Sequence, residues 1–290
     1  PEYAVKWLTL CSFLMQVARL RPERGVEIDR VPSCEFLLSA ICPLRAALNR
    51  AILSDSALIK FYSLQLLVAL LEKLAWCVKG VEEEIEACES GAFGMLESAR
   101  RLEALQSSRT ETIESVQKLI PDWQTVQSVL NALISQKELS HDGQLDALLT
   151  EKWREDLLIA GLDCARYYIQ IFVAEEDSLE QAHFEDPVKY IAPLLQTEPL
   201  SKELIAPLLR FCAAFPRFTP ADTPAWNQLL CFLCKQKSSD SLAVSLLSSI
   251  FYSSGLFLDH EAELEAFVEV LDAEHVPLCL KELLSLSKKS

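Results

Sequence analysis

The chain of 290 residues carries 42 acidic and 27 basic side chains, a formal charge of -15, and half of its residues are hydrophobic. That balance excludes wholesale disorder and low complexity. Its 7 glycines are too few for the tight turns of strand-rich sandwiches or the phosphate loops of nucleotide-binding α/β folds. Leu, Ala, Glu, Ser and Lys dominate, which is helix-forming composition. The expected fold class is all-α.

In chain order, the hydrophobic spacing predicts a first helix over 3–20, closed by the charged, proline-bearing stretch 21–32. Helices over 34–41 and 44–53 follow, split by Pro43, which cannot donate to a continuing helix. Ser54, Asp55 and Ser56 offer capping oxygens to a long apolar helix over 57–79. The acidic run 81–89 comes next, and Gly91 and Gly94 mark a break before an amphipathic helix over 93–119. Pro121 suits the first turn of the following helix, which runs to Ile134, and Asp122 suits its positive end. Beyond a turn at 141–143, short and long helices are expected over 145–149 and 153–172, the second ending at the acidic patch 175–177. Shorter helices then alternate with proline-marked turns: 187–195, 202–214, 224–235, 241–251, 261–270 and 277–286.

The stretch 57–78 is long enough to pass for a membrane span, but Lys60, Gln65, Glu72 and Lys73 interrupt it. A spanning helix wants about 20 mostly apolar residues without charges, so a buried central helix is the better reading. No secretory signal is visible, because 5–20 carries Lys6, Gln16 and Arg19 and no small-residue cleavage site. Pro1 is not a natural start, so the chain is expected to be a segment of a longer one. Its dozen short-linked helices show no tetratricopeptide or ankyrin pattern. Irregular pairs of about 40 residues with prolines at their turns suit the HEAT and armadillo kind. The expectation is therefore an α-solenoid of irregular HEAT/armadillo-like helix pairs, a single helical-repeat domain over 1–290. A compact bundle is the alternative.

Reactive groups do not converge in the sequence. There is no phosphate-cradling loop, no nucleophile elbow and no pair of histidines one helical turn apart. His141, His183, His260 and His275 are scattered and read as turn or surface residues. Ten cysteines are irregularly spaced, and only Cys231 and Cys234 are separated by two residues, with no second pair or histidine to complete a zinc site. Reduced core thiols of a nuclear or cytosolic protein are the expectation. The tryptophans Trp7, Trp76, Trp123, Trp153 and Trp226 fall at helical positions and read as core. No enzyme activity, cofactor or metal is expected.

Charge is unevenly spread. Residues 1–60 carry 8 basic and 6 acidic side chains, net +2, whereas the remainder carries 19 and 36, net -17. Nucleic acid is repelled by the second kind of surface. RNA contact is therefore expected on the amino-terminal side, where Arg19, Arg21, Arg24, Arg30, Arg45, Arg50 and Lys60 accumulate, with Arg45, Arg50 and Lys60 as the candidate RNA-facing residues. The run Glu82, Glu83 and Glu84 is the candidate acidic docking patch, and a solvated helix face is the plainer alternative.

From Pro43 to Leu74 the sequence reads PLRAALNRAILSDSALIKFYSLQLLVALLEKL. This stretch resembles part of the amino-terminal domain of the nucleolar pre-ribosomal-associated proteins, large scaffolds of ribosomal large-subunit biogenesis. Asn49, Arg50, Ser54, Asp55, Lys60, Leu64, Leu66, Leu67, Leu70, Lys73 and Leu74 occupy matching places. Lys118, Leu119, Ile120, Pro121, Asp122 and Thr125 resemble the family's Leu-Pro-Asp segment after a long helix. The specific match covers about 45 residues in two segments. Ala51-Ile52 replaces the family's usual Gly-Leu, and Ile120 separates Leu119 from Pro121.

The resemblance implies a non-catalytic nucleolar scaffold in early 60S assembly. Its implied partners are a second helical-repeat scaffold, a DEAD-box helicase, and pre-rRNA or snoRNA-containing particles, with no membrane and no small-molecule substrate. An armadillo/HEAT adaptor of another intracellular pathway, transport or RNA processing, is the alternative. An enzyme whose site another subunit completes is a third, weaker reading.

Overall fold

The computed structural model describes residues 2–20, 44–90, 95–135, 147–172, 188–196, 200–215, 218, 223–253, 257 and 260–287. Among the described residues the structure is helical, with no strand. They fall into two compact units, 1–174 and 175–290, where the sequence reading has a single helical-repeat domain over 1–290.

The first unit contains α1 (Glu2–Arg19), α2 (Arg45–Ile52), α3 (Ala57–Glu89), α4 (Met95–Leu119), α5 (Trp123–Ile134) and α6 (Ala147–Phe172). Its axis is α3, 33 residues long. Leu64, Leu66, Leu67, Leu70, Leu71 and Leu74 are all buried along it. These positions do not share one stripe, so no single neighbour can cover them. The helix packs against α1, α2, α4 and α6. By length and composition α3 could cross a membrane, yet 61% of its apolar window is buried inside the fold.

Some of the polar atoms that this packing encloses are satisfied by hydrogen bonds within and between helices. Trp7 Nε1 of α1 donates to Ser63 Oγ of α3 at 3.0 Å, and that hydroxyl donates onward to the Ile59 carbonyl at 2.7 Å. Tyr168 of α6 donates to the Pro121 carbonyl, which fixes the entry to α5.

The second unit contains α7 (Val188–Gln196), α8 (Lys202–Ala213), α9 (Pro224–Gln236), α10 (Ser241–Ser253), α11 (Glu261–Val270) and α12 (Val276–Ser287). Here α9 packs on α7, α10 and α12, while α10 packs on α8, α9 and α11. Edge-to-face aromatic pairs hold the layers: Tyr190 with Phe211, Phe218 with Trp226, and Phe251 with Phe267. Side-chain caps start two of these helices, Ser201 accepting from Leu204 N and Thr223 from Trp226 N, both at 3.3 Å.

Several boundaries differ from the sequence reading. The long helix does not stop at residue 79; it runs through the acidic run to Glu89, because Glu82 and Glu84 find arginine partners on α4. Ser56 is its N-cap residue but makes no side-chain cap hydrogen bond. Pro121 lies just before the N-cap, not in the first turn, and Asp122 caps α5 by accepting from Thr125 N at 2.7 Å. The expected helices 145–149 and 153–172 are one helix, α6. The expected helix 34–41, the turn 141–143 and the acidic patch 175–177 lie outside the described residues.

Close approach of α5 to α6 occurs at Gly161. A β-carbon there would lie 3.4 Å from Leu130 Cδ1 and 3.6 Å from Leu133 Cδ1, ordinary contact distances. Gly161→Ala should therefore stabilise the first unit by roughly 0.5–1 kcal/mol through helix propensity. Gly161→Leu should overpack and destabilise it by about 1–3 kcal/mol. Thermal unfolding of both variants checks this: equal melting temperatures would contradict the close approach.

Candidate functional site

The three basic residues expected to face RNA are not equivalent in the structure. Lys60 is buried, with 6% of its surface exposed. It sits on the α3 stripe that continues through Leu64, Leu67 and Leu71, all buried, so its ammonium is withdrawn from the surface where RNA would meet it. Arg45 is half-buried, and its guanidinium donates to the Lys118 carbonyl near the end of α4. Only Arg50 is exposed, with Nε donating to the Ala46 carbonyl one turn back at 3.2 Å. Arg21, Arg24 and Arg30 lie outside the described residues.

The acidic run is likewise used inside the fold. Arg109 of α4 donates to Glu82 Oε1 through Nε and Nη2, at 3.2 and 3.1 Å. Arg101 Nη2 donates to Glu84 Oε2 at 3.4 Å, both side chains being about half exposed. Glu83 is exposed. The Arg101–Glu84 pair, half exposed, is worth under about 1 kcal/mol, and both pairs offset charge that a basic partner would read.

A second cationic locus, which the sequence reading did not assemble, lies where α1 ends against α3. Lys73, 8% exposed, donates to the Leu20 carbonyl at 2.8 Å and lies over the Trp76 ring, 4.5 Å from its centroid. The carbonyl end of a helix attracts cations, and this contact satisfies an acceptor that follows the last turn of α1. Beside it opens a groove of about 330 Å³, floored by Ala18 and Ala69 and walled by Arg19, Glu72, Lys73 and Trp76. Two cations against one carboxylate leave the groove with an excess positive charge. The signal available in the sequence was the Lys73–Trp76 spacing, three residues apart on a helix otherwise apolar. The arrival of Arg19 beside them comes only with the tertiary fold.

Lys237 does the same work in the second unit. Its ammonium donates to the carbonyls of Val268, Glu269 and Leu271, at 3.0, 2.6 and 2.5 Å, around the end of α11.

Among the described residues, Cys11, Cys88, Cys164, Cys212, Cys231, Cys234 and Cys279 are free. No group of three or more Cys, His, Asp or Glu side chains among the described residues could hold a metal ion. His260 and His275 are exposed, and His260 Nδ1 lies 3.6 Å from Glu263. His141 and His183 lie outside the described residues. Of the tryptophans, Trp7 and Trp226 are core, whereas Trp76, Trp123 and Trp153 are half-buried.

No protein-family model matches the chain, and no curated protein or solved structure is significantly similar to it.

Burial pushes the Cys11 and Cys212 thiols from the ordinary 9.0 up to about 12, and Cys234 to about 11. Cys164 and the Tyr168 hydroxyl are also raised well above their ordinary values, chiefly by burial. A folded-state pKa above the unfolded one favours folding fully below the unfolded value and is lost as pH rises through the folded one. Stability should hold up to pH 9.0 and fall from there towards pH 12. Urea midpoints measured on either side of pH 9.0 check the sign, and a midpoint that rises with pH contradicts it.

Proposed function

We propose that the chain is a non-catalytic α-solenoid scaffold segment that acts in the nucleolus during early large-subunit assembly, organising pre-rRNA and assembly factors. The observation that carries the reading is the segment 43–74 with its resemblance to the nucleolar pre-ribosomal-associated proteins. The described part of that segment is α2, a short turn and the leucine-rich α3. The solenoid half of the proposal has independent support in the second unit, where α8 packs on α10 and α7 on α9, each helix meeting the next but one. Stacked helical pairs place helices in that relation. A second helical-repeat scaffold, a DEAD-box helicase and RNA-containing precursors are the partners this reading entails.

An armadillo/HEAT-type adaptor in transport or RNA processing is the second reading, because the packing of α7 on α9 and of α8 on α10 suits it as well.

Crosslinking and purification of the tagged chain, followed by identification of RNA and proteins, is the direct test. Large-subunit precursors are the expected product; transport cargo or a membrane coat in their place would overturn the proposal. For RNA contact, Arg50→Ala should flatten the salt dependence of binding by about one unit of slope. Lys60→Ala should leave that slope unchanged, because Lys60 is buried. A slope set by Lys60 and not by Arg50 would refute the assignment.

A further inference from the structure

The last turns of α9 place Cys231, Cys234 and the C-cap residue Lys237 at steps of three, down one side of the helix. Both ends of that row grip the connection between α11 and α12. Cys231 Sγ donates to the Ala273 carbonyl at 3.2 Å, and Lys237 donates to the Leu271 carbonyl at 2.5 Å. Cys234 lies between them and is turned towards the same connection, where α12 begins. That helix itself packs on α9. Its first residue, Val276, is buried, and Cys279 follows three residues on, on the same side. Packed helices lie about 8–10 Å apart between axes, with α-carbons about 2.3 Å out from each axis. Facing positions are therefore roughly 4–6 Å apart, the span that a disulfide bridges. All three thiols are free, Cys234 buried and the other two half-buried.

We infer that Cys234 and Cys279 form a thiol modification site, which hydrogen peroxide oxidises to a disulfide tying α12 to α9. Cys279 meets the oxidant, because the two α9 thiols are held back from it. Burial pushes Cys234 up to about 11, with Lys237 opposing and Cys231, Asp272 and Cys279 adding to the rise. Burial also raises Cys231, with Lys235 opposing, and its S–H is engaged by the Ala273 carbonyl. A protonated thiol is a poor nucleophile. The Cys279 thiolate attacks the peroxide; an S–O bond forms, the O–O bond breaks, and the leaving hydroxide is protonated to water. The sulfur of the resulting sulfenic acid, oxidised by two electrons, is then attacked by the adjacent Cys234. The S–S bond forms as the S–O bond breaks, and hydroxide leaves with the Cys234 proton as a second water. Two thiols and one peroxide thus give one disulfide and two waters. Transient disulfides of this kind form even in reducing compartments, and the site is independent of the scaffold reading.

The test uses the reduced 290-residue chain, treated with hydrogen peroxide, quenched in acid, alkylated and mapped by mass spectrometry. Before oxidation, an alkylating agent should modify Cys279 roughly tenfold or more faster than the buried Cys11, Cys164 and Cys212. After oxidation, the peptides of Cys234 and Cys279 should be linked within one chain, and a dithiol reductant should release them. Cys279→Ser should abolish the link and leave Cys234 reduced. Cys234→Ser should leave Cys279 as a sulfenic acid that a 1,3-diketone traps. Cys231→Ser should leave the link in place. The half-buried Cys279 variant and the unaltered chain decide the matter even where Cys234→Ser does not fold. A bond between Cys231 and Cys234, a link between two chains, or Cys279 oxidised to sulfinic acid beside a reduced Cys234 would each overturn the inference. So would oxidation of Cys11, Cys164 and Cys212 at the same rate as Cys279.

Discussion

The stretch 57–78 of α3 is apolar on nearly every side and has to be enclosed, and that need shapes the first unit. With Leu64, Leu66, Leu67 and Leu71 all within 1% exposure on α3, each leucine contributes about 1.5–3 kcal/mol only when its whole surface leaves water. Four helices, α1, α2, α4 and α6, supply that cover. The polar groups caught in the process then need partners of their own. The Trp7–Ser63 bond and the Cys164 contact with the Leu64 carbonyl at 3.5 Å sit in this interior. Because an unpaired buried polar group costs about 1–3 kcal/mol, those contacts constrain how α1 and α6 can lie against the axis.

Cations close the structure where helices end. Arg45 reaches the carbonyl of Lys118, Lys73 that of Leu20, and Lys237 three carbonyls around the end of α11. Each couples a helix terminus to a side chain distant in sequence, and hydrogen bonds from charged donors are the stronger kind, about 1.5–3 kcal/mol net. In this acidic chain these three basic side chains thus serve the fold. Arg50, by contrast, is exposed.

The helical class and most helix positions were legible because apolar spacing and scarce glycine speak locally. Asp122 read correctly as an α5 start signal, and the burial of 57–79 followed from its lack of a polar face. What escaped the sequence was tertiary in origin. Lys60 looked like a surface cation because lysine is almost never fully buried, yet its place on the Leu64–Leu67–Leu71 stripe carried it inward. Nothing local to the acidic run shows that Arg101 and Arg109 return beside it. The groove at Arg19, Lys73 and Trp76 depended on α1 meeting α3 some 50 residues on, as the separation of 53 between Lys73 and Leu20 shows.

Native-state hydrogen exchange tests most directly whether α3 is the axis on which the first unit depends. Amides of the α3 segment around Leu64 to Val78 should exchange only through global unfolding of that unit, with the same free energy and the same steep denaturant dependence as the unfolding transition itself. Amides of the exposed half of α4 should exchange earlier, through local opening. Exchange of the α3 amides as fast as those of α4, with little dependence on denaturant, would contradict the account.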